Sequence, residues 1–306
     1  MNEIILDALR KQLLTRSALE DLPDGVWKGA SALNTWGTNA IEGNALTLRD
    51  VERLILEDRS VGNRSMRDVL ETIQHEVAFR DLLSRRKKPI ALQTVLELHE
   101  EVFRGVLSDA GQWRRVNVRI VGTKHVPPRM EKVLSLMQEW IEEYSRRDMV
   151  GESVFFLASW MHHEFESIHP LSDGNGRVGR LLLNLHFVKH NWPPVHILPS
   201  DSKSYLSCLE IAHSGDLARL EDFLRVRMGR SLLDLLNQVG TKDDELKQLK
   251  SFAPLSGYSA QYLSLRAGQG RLPALMIKGD WYTSQRALQL YQGEIGRGIQ
   301  LSRKRR

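Results

Sequence analysis

The feature that most constrains the fold is a stretch of thirteen residues, Ile168 to Arg180, between two apolar helical patterns. It holds one imidazole, one carboxylate, one amide, three glycines and two guanidiniums. Apolar residues recur at three- and four-residue steps on both sides, as they do on the buried stripe of a helix. They are Val154, Leu157, Ala158, Met161, Phe165 and Ile168 upstream, and Val178, Leu181, Leu182 and Leu185 downstream. The pattern predicts helix, tight loop and helix in the middle of a core.

The predicted loop and the start of the second helix have the chemistry of a phosphate site. Gly174 and Gly176 remove side chains where the backbone needs a positive φ or a ligand comes close. A helix that begins near Arg177 presents unpaired N–H groups and a positive dipole at its first turn, and such an end binds phosphate. Arg180 follows three residues later, so two guanidiniums suited to bidentate phosphate contacts lie near one another.

Two further side chains of the stretch point to a reaction. Asp173 supplies hard oxygen for Mg²⁺, which usually takes one or two carboxylates plus substrate phosphates. His169 ends the first predicted helix, where its imidazole could act as a base at neutral pH. Together these groups indicate a nucleotide triphosphate with its metal, facing a general base.

The same stretch resembles the motif of the Fic family, His-x-Phe-x-Asp/Glu-Gly-Asn-Gly-Arg-x-x-Arg, at every polar and glycine position. The one departure is Leu171, which stands where the family usually has Phe and which we expect to pack inward. The resemblance covers about Thr38 to Arg230. It implies a mainly α fold, with a Fic helical core and a β-hairpin flap. It also implies a protein adenylyltransferase, which transfers AMP from ATP to a Ser, Thr or Tyr hydroxyl of target proteins and of itself.

The resemblance assigns roles residue by residue. His169 is the catalytic base and Asp173 holds Mg²⁺. The implied ATP-binding residues of the motif are Gly174, Asn175, Gly176, Arg177 and Arg180. Tyr205 corresponds to a family tyrosine near the nucleotide base, and His213 falls where relatives often carry Asn. A lone histidine on a helix is more often structural, so both readings of His213 stay open.

A second motif lies in the N-terminal part of the chain. Glu42 is expected in the last turn of a helix, with Gly43 and Asn44 as left-handed cap candidates. A glutamate there is unfavourable for the helix dipole. The stretch Thr38 to Asn44 resembles the inhibitory motif Ser/Thr-x-x-x-Glu-Gly/Asn of many Fic proteins, which implies that Glu42 reaches Arg180 and blocks the γ-phosphate site. The alternative is a solvated surface glutamate.

A strand-like pattern precedes the central motif. Val116, Val118 and Ile120 alternate with polar residues, which predicts a strand. A turn and a second short strand follow, and Pro127 and Pro128 end that strand. The resemblance identifies this hairpin as the flap that lines the nucleotide site and holds the target's backbone. The flap residues implied to meet the nucleotide are Gly122, Thr123, Lys124 and His125. An ordinary surface hairpin is the alternative.

The C-terminal part has a different pattern. The sequence predicts a short helix over Tyr258–Arg266 with Ser259 as its cap, a hairpin from Pro273 to Thr283 and a final helix. This order resembles the small winged helix-turn-helix domains of excisionase type. From residue 241 onward, the sequence contains twelve Lys/Arg and five Asp/Glu, and its last four residues are Arg303-Lys304-Arg305-Arg306. Such a module could bind DNA through its phosphates, recruit the protein target or mediate dimerisation.

Taken together, the patterns predict four regions. These are a helical region with the inhibitory motif (1–90), the Fic catalytic core (91–230), a helical connector (231–250) and the winged helix-turn-helix-like module (251–306). Cys208 is the only cysteine, which is compatible with a reducing compartment. The N-terminus lacks the pattern of a signal peptide, and no apolar stretch is long enough to cross a bilayer. We therefore expect a cytoplasmic protein with no membrane partner.

Two other functions fit the same residues. Some Fic relatives transfer a different phosphate-linked group or remove AMP, and AMP removal can use the inhibitory glutamate with a water. The second alternative is a DNA-binding regulator in which the Fic domain only senses nucleotide. The intact His169 argues against a pure sensor, which has no need of a base.

Overall fold

The computed structural model describes residues 1–304 of the 306, and the side chains of residues 1–295. It is mainly α-helical, as the sequence predicts. The α-helices of the described residues are α1 (Glu3–Arg16), α2 (Asp24–Ile41), α3 (Leu48–Ile55), α4 (Met66–Arg85), α5 (Leu92–Phe103), α6 (Val133–Met149), α7 (Val154–Ile168), α8 (Asn175–Lys189), α9 (Ser202–Ala212), α10 (Ala218–Val239), α11 (Ala253–Ser256), α12 (Ala260–Gly268) and α13 (Gln285–Lys304). The strands are β1 (Lys247–Gln248), β2 (Leu275–Ile277) and β3 (Asp280–Thr283).

The chain divides into two compact units, residues 23–223 and residues 1–22 with 224–306. The predicted boundaries at residues 90, 230 and 250 do not coincide with this division. The first 22 residues group with the C-terminal part because α1 packs against α13. The central motif and the inhibitory motif both lie in the unit of residues 23–223.

Helix α8 is the centre of that larger unit. Its residues are buried on every side from Asn175 to Val188, with the exception of Gly176. It packs against α2, α4, α5 and α7. A helix that is covered all round lies in the interior of its unit. The predicted helix, loop and helix are therefore confirmed, and the second helix is buried on more faces than its leucine stripe alone indicates.

The predicted strands of the flap are absent. Residues 116–128, all of which the structure describes, contain no β-strand. The buried Arg114 side chain instead ties the two limbs together, since it donates hydrogen bonds to the carbonyls of Val116 (2.8 Å) and Pro128 (2.5 Å). Pro127 and Pro128 have no N–H to give to a ladder. The flap is therefore a loop whose two limbs are joined by the Arg114 guanidinium.

The unit of residues 1–22 and 224–306 contains a small antiparallel sheet in the order β1-β3-β2. The predicted hairpin is confirmed as β2 and β3, whose turn residues Lys278 and Gly279 both have positive φ (50° and 88°), as in type I′ turns. The cap is also confirmed, because the Ser259 side chain accepts a hydrogen bond from the Tyr262 N–H. The predicted connector is helical only to Val239, and its later part contributes β1, which pairs with β3.

The winged helix-turn-helix assignment of this part stays a prediction, and the side chains of the basic tail, Arg303 to Arg306, lie outside the described residues. Across residues 1–304, none of the helices combines the length and the apolar character that crossing a membrane requires.

A pair of glycines in α2 tests how this helix is held. A Cβ at Gly37 would lie 2.6 Å from the Ile197 carbonyl oxygen, whereas a Cβ at Gly29 would meet no atom within 4 Å. We expect Gly37→Ala to lower the free energy of unfolding by ~1–3 kcal/mol because backbone must move. Gly29→Ala should leave it unchanged or raise it by up to ~1 kcal/mol through helix propensity. Urea unfolding measures both, and equal stability of the two variants would contradict this packing.

Candidate active site

The loop between α7 and α8 is shaped by two left-handed residues. His169 follows the last residue of α7 with φ 50° and ψ 59°, and its N–H donates to the Phe165 carbonyl (3.0 Å). Gly174 has φ 82° and precedes α8, which begins at Asn175 rather than near Arg177. A Cβ on Gly174 would lie 2.2 Å from the Phe103 ring. Glycine is therefore required at this position by both the backbone and the packing.

Asn175 closes the loop with its side chain. Its Oδ1 accepts from the Leu171 N–H and its Nδ2 donates to the Leu171 carbonyl, both at 2.9 Å. Leu171 is completely buried, as expected for the apolar residue that replaces the family's Phe. The amide of Asn175 thus fixes the loop conformation, and the backbone N–H groups of the first turn of α8 are left to bind an anion.

His169 has the properties of a base. Its Nδ1 lies 3.3 Å from the Glu166 carbonyl, and as a donor there it leaves Nε2 unprotonated. Burial lowers the pKa of the imidazole, an effect that the Glu166 carbonyl opposes and that the Arg114 guanidinium strengthens. The ring is therefore neutral at neutral pH and can accept a proton at Nε2.

Arg180 is a buried cation of the site. Its side chain is only 5% exposed. It donates from Nε to the Thr38 hydroxyl (2.6 Å) and from Nη2 to the Glu42 carboxylate (2.6 Å). Burial opposes the charge of Arg180, but Glu42, Tyr205 and Glu166 together favour it, and the pKa of the guanidinium is raised. The contact between Glu42 and Arg180 that the sequence motif predicts is present.

The Glu42 carboxylate also lies against the first turn of α8. Helix α2 ends at Ile41, Glu42 is its C-terminal cap and Gly43 follows with φ 88°. A Cβ on Gly176 would lie 2.2 Å from Glu42 Oε1. Glu42 thus places negative charge next to the helix end that would otherwise attract a phosphate.

Arg177 faces a different set of partners from Arg180. Its Nη1 donates to Glu71 of α4 (2.5 Å), and its guanidinium lies 4.4 Å from the centre of the Phe103 ring. Arg177 and Glu71 are both nearly fully buried. The two arginines therefore share a helix turn, as predicted, but Arg177 is held from the side of α4 and α5 while Arg180 is held by α2.

Asp173 is the one exposed carboxylate of the loop. Its Oδ1 accepts from the Gly174 N–H (2.6 Å), and its side chain is 48% exposed. No group of three potential metal ligands occurs among the described residues. A single exposed carboxylate still suits Mg²⁺, which fills its remaining positions with water and substrate phosphates.

A cavity of about 380 Å³ lies between the flap turn and α9. Its lining residues are Ile120, Val121, Gly122, Thr123, His163, Glu166, Leu206, Ser207, Leu209, Glu210, Ile211 and His213. The Thr123 hydroxyl donates to Glu210 and so ties the flap to α9. A largely apolar cavity with a few polar groups suits the base of a nucleotide.

The remaining predicted site residues differ in whether they line this cavity. Gly122, Thr123 and His213 line the cavity, and His125 stacks on His213 with ring centres 4.1 Å apart. Lys124 is exposed and is not part of the lining. Tyr205 is buried, its hydroxyl lies 2.7 Å from His162 Nε2, and the neighbouring Leu206 lines the cavity instead. A larger cavity of about 540 Å³, beside Arg85 and Glu97, contains none of the predicted site residues.

Comparison with known proteins identifies a family domain in the part of the chain that holds this site. The family model described as "Fic/DOC family" matches residues 89–187. The chain contains a Fic/DOC-family domain. Protein adenylyltransferase fic-1 of Caenorhabditis briggsae is 31% identical over 191 residues, which are 60% of this chain and 37% of that protein. Protein adenylyltransferase Fic of Drosophila ananassae is 32% identical over 204 residues, 64% of this chain and 40% of that protein. The chain thus spans about two fifths of the length of these relatives.

Solved structures show the same fold around the Fic domain. A Fic-domain-containing signaling protein from Bacteroides thetaiotaomicron superposes with a TM-score of 0.68 at 22% identity, over 76% of this chain and 97% of that one. A Fic family protein from Desulfovibrio desulfuricans gives a TM-score of 0.63 at 19% identity, over 93% of this chain and 96% of that one. At these identities the likeness concerns the fold.

The Fic domain also holds a buried carboxylate that sequence reasoning missed. Glu166 lines the cavity, its Oε1 is buried without a hydrogen-bond partner, and a Cβ on Gly179 would lie 2.4 Å from that oxygen. Burial raises the pKa of Glu166 to about 7, an effect that Arg180 reduces and Glu42 increases. The environment of Glu166 is set by Gly179 of α8 and by the α9 residues of the cavity, which no local pattern reveals.

The raised pKa of Glu166 predicts a pH-dependent stability. The carboxyl titrates near 4.5 in the unfolded chain and near 7 in the folded protein, so folding loses stability as the pH rises between these values. A neutral glutamine avoids that loss. Glu166→Gln should exceed wild type in free energy of unfolding by about 1–3 kcal/mol above pH 7, and the gain should vanish near pH 4. Denaturant titrations across this range measure it.

Glu164, on the same helix and 40% exposed, provides the control. Glu164→Gln should show no comparable change between pH 4 and pH 8. A difference between Glu166→Gln and wild type that stays constant over this range would contradict the assigned titration.

Proposed function

We propose that the protein is an adenylyltransferase that transfers AMP from ATP to a Ser, Thr or Tyr hydroxyl of target proteins and of itself, and that Glu42 inhibits it. The observation that carries the proposal is the Glu42–Arg180 ion pair at the first turn of α8, one loop away from the neutral His169. The relatives named protein adenylyltransferase support the reaction class.

In the proposed reaction, ATP lies in the cavity and on the first turn of α8, and the target hydroxyl meets His169. The base of ATP enters the cavity between the flap and α9, and its phosphates lie on the N–H groups of the first turn of α8. His169 Nε2 accepts the proton of the target hydroxyl, whose oxygen bonds to the α-phosphorus in line. The bond from that phosphorus to the bridging oxygen breaks, and pyrophosphate leaves.

The remaining residues hold the triphosphate in a productive position. Asp173 would hold Mg²⁺ together with phosphate oxygens, and the metal would supply neutralisation of phosphate charge. Arg180 binds the γ-phosphate when it is free of Glu42, since a guanidinium suits bidentate phosphate contacts. Arg177, fixed between Glu71 and the Phe103 ring, adds positive charge beside the loop.

Inhibition follows from competition for Arg180. While Glu42 accepts from Arg180 Nη2, that guanidinium cannot grip the γ-phosphate, and the carboxylate repels the phosphate as well. ATP then binds with its α-phosphate turned away from the target hydroxyl. A shift of ~3 kcal/mol toward the competent pose changes its population by roughly a hundredfold.

Removing the Glu42 carboxylate should activate the enzyme. We expect Glu42→Gly to raise self-labelling from ATP carrying label on the α-phosphate by tenfold or more, because the buried Arg180 guanidinium then lacks the carboxylate that competes with the γ-phosphate. Label on the γ-phosphate should not enter protein. Adding Arg180→Ala should cancel the gain.

The matched control is Glu57→Gly. Glu57 also lies just beyond a helix end and has the same 31% side-chain exposure, but it pairs with Arg49 and Arg59. Activation by both substitutions, or by neither while ATP still binds, would refute inhibition by Glu42. Transfer of the γ-label in place of the α-label would refute the reaction class.

Replacing the base should separate binding from chemistry. In the activated Glu42→Gly protein, His169→Ala should reduce transfer by at least ~100-fold, which is the scale of general base catalysis. The dissociation constant of α,β-methylene ATP should stay within about twofold, since His169 acts on the incoming hydroxyl. Calorimetry and α-label transfer measure the two quantities, and equal losses in both would contradict the assigned role.

A further inference from the structure

Asp173 and Arg177 belong to a closed ring of four charged side chains. Glu71 uses one carboxylate oxygen for Arg177 (2.5 Å) and the other for Arg67 Nε (2.8 Å). Arg67 also donates from Nη2 to Asp173 Oδ2 (3.1 Å), and Arg177 Nη2 lies 3.7 Å from Asp173 Oδ1. Charges of opposite sign therefore alternate around the ring Arg67, Glu71, Arg177 and Asp173.

The four side chains of the ring differ in their exposure to solvent. Arg177 and Glu71 have side-chain exposures of 5% each and are locked to one another. Arg67 and Asp173 are 55% and 48% exposed, so their contact is the weak and reversible side of the ring. Arg67 can leave Asp173 without stranding a buried charge, because Glu71 keeps Arg177 as its partner.

Arg67 lies at the carboxylate that a divalent cation would bind. The guanidinium occupies Asp173 Oδ2, while Oδ1 already accepts from the Gly174 N–H (2.6 Å). A cation that binds this carboxylate either displaces Arg67 from Oδ2 or remains next to its positive charge. Both effects oppose metal binding.

We propose that Arg67 is a positioning residue that competes with the divalent cation for Asp173 and so sets the metal concentration at which nucleotide is bound productively. This inference rests on the proposed function, because it takes Asp173 as the metal ligand. It adds a second control point, on the metal side of the site, to the Glu42 contact with Arg180.

The competition has a measurable size and a salt dependence. A half-exposed guanidinium beside a doubly charged ion changes its affinity by roughly threefold to tenfold at low ionic strength. The effect should shrink as salt rises, because exposed charges are screened over about 10 Å at 0.1 M. A purely structural role of Arg67 would produce neither result.

The experiment measures metal binding rather than turnover. Full-length protein is titrated with Mn²⁺ at a fixed concentration of α,β-methylene ATP, and free Mn²⁺ is followed by electron paramagnetic resonance. Arg67→Gln should lower the half-saturating Mn²⁺ concentration roughly threefold to tenfold in 20 mM KCl, and the difference from wild type should shrink in 300 mM KCl. Arg67→Lys, which keeps the charge, should stay close to wild type.

Arg80→Gln is the matched control. Arg80 lies on the same helix, is 42% exposed and pairs with Glu76 in the way that Arg67 pairs with Glu71. It should leave the Mn²⁺ titration unchanged. An unchanged or higher half-saturating concentration in Arg67→Gln, or an equal decrease in Arg80→Gln, would overturn the inference.

Asp173→Asn tests separately whether Asp173 is the metal ligand, which the role of Arg67 presupposes. It should raise the half-saturating Mn²⁺ concentration at least ~10-fold if Asp173 is the metal ligand. An unaffected titration in Asp173→Asn would remove the metal assignment of the proposed function. A normal effect of Asp173→Asn together with none in Arg67→Gln would refute the role of Arg67 alone.

Discussion

The buried guanidinium of Arg180 is the constraint on which the site depends. A cation at 5% side-chain exposure must be paired, because an unpaired buried charge costs several kcal/mol. Thr38 and Glu42 provide that pairing from the end of α2. In the proposed function, the contact that satisfies Arg180 is therefore also the contact that keeps it from a phosphate. On this account, inhibition follows from the stability of the resting fold, and a γ-phosphate replaces Glu42 as the counter-ion.

Buried charge is also paired on the other side of the loop. Glu71 neutralises Arg177 in the interior, while Asp173 and Arg67 face solvent and can exchange partners. Burial lowers the pKa of His169, and the Arg114 guanidinium lowers it further, so the imidazole is neutral and can accept a proton. The site thus consists of a fixed buried pair, a base without charge and two contacts that nucleotide and metal would replace.

The central motif could be predicted from sequence because its signals are local. The apolar steps on both sides of His169 specify two helices, and the glycines between them specify the loop. The contact of Glu42 with Arg180 spans 138 residues and no local pattern indicates it, so its prediction came from family resemblance alone. The contact of Arg67 with Asp173, 106 residues apart, had no such resemblance and was missed.

One prediction failed for an identifiable reason. The alternation of Val116, Val118 and Ile120 is typical of a strand, but the carbonyls of Val116 and Pro128 accept from Arg114 and no strand forms across residues 116–128. Tyr205 is buried with its hydroxyl at His162 while Leu206 lines the cavity, and its place near the nucleotide base stays a prediction. Successive side chains of an α-helix point about 100° apart, so Tyr205 and its neighbour Leu206 face the core and the cavity respectively.

In the proposed mechanism, the Glu42 carboxylate and the γ-phosphate compete for Arg180. Calorimetric dissociation constants of ATP and AMP for wild type and for Glu42→Gln measure this competition. We expect Glu42→Gln to bind ATP at least several-fold more tightly than wild type and to bind AMP equally well, because only ATP carries the phosphate that meets Arg180. Equal tightening for ATP and AMP, or no tightening for ATP, would contradict it.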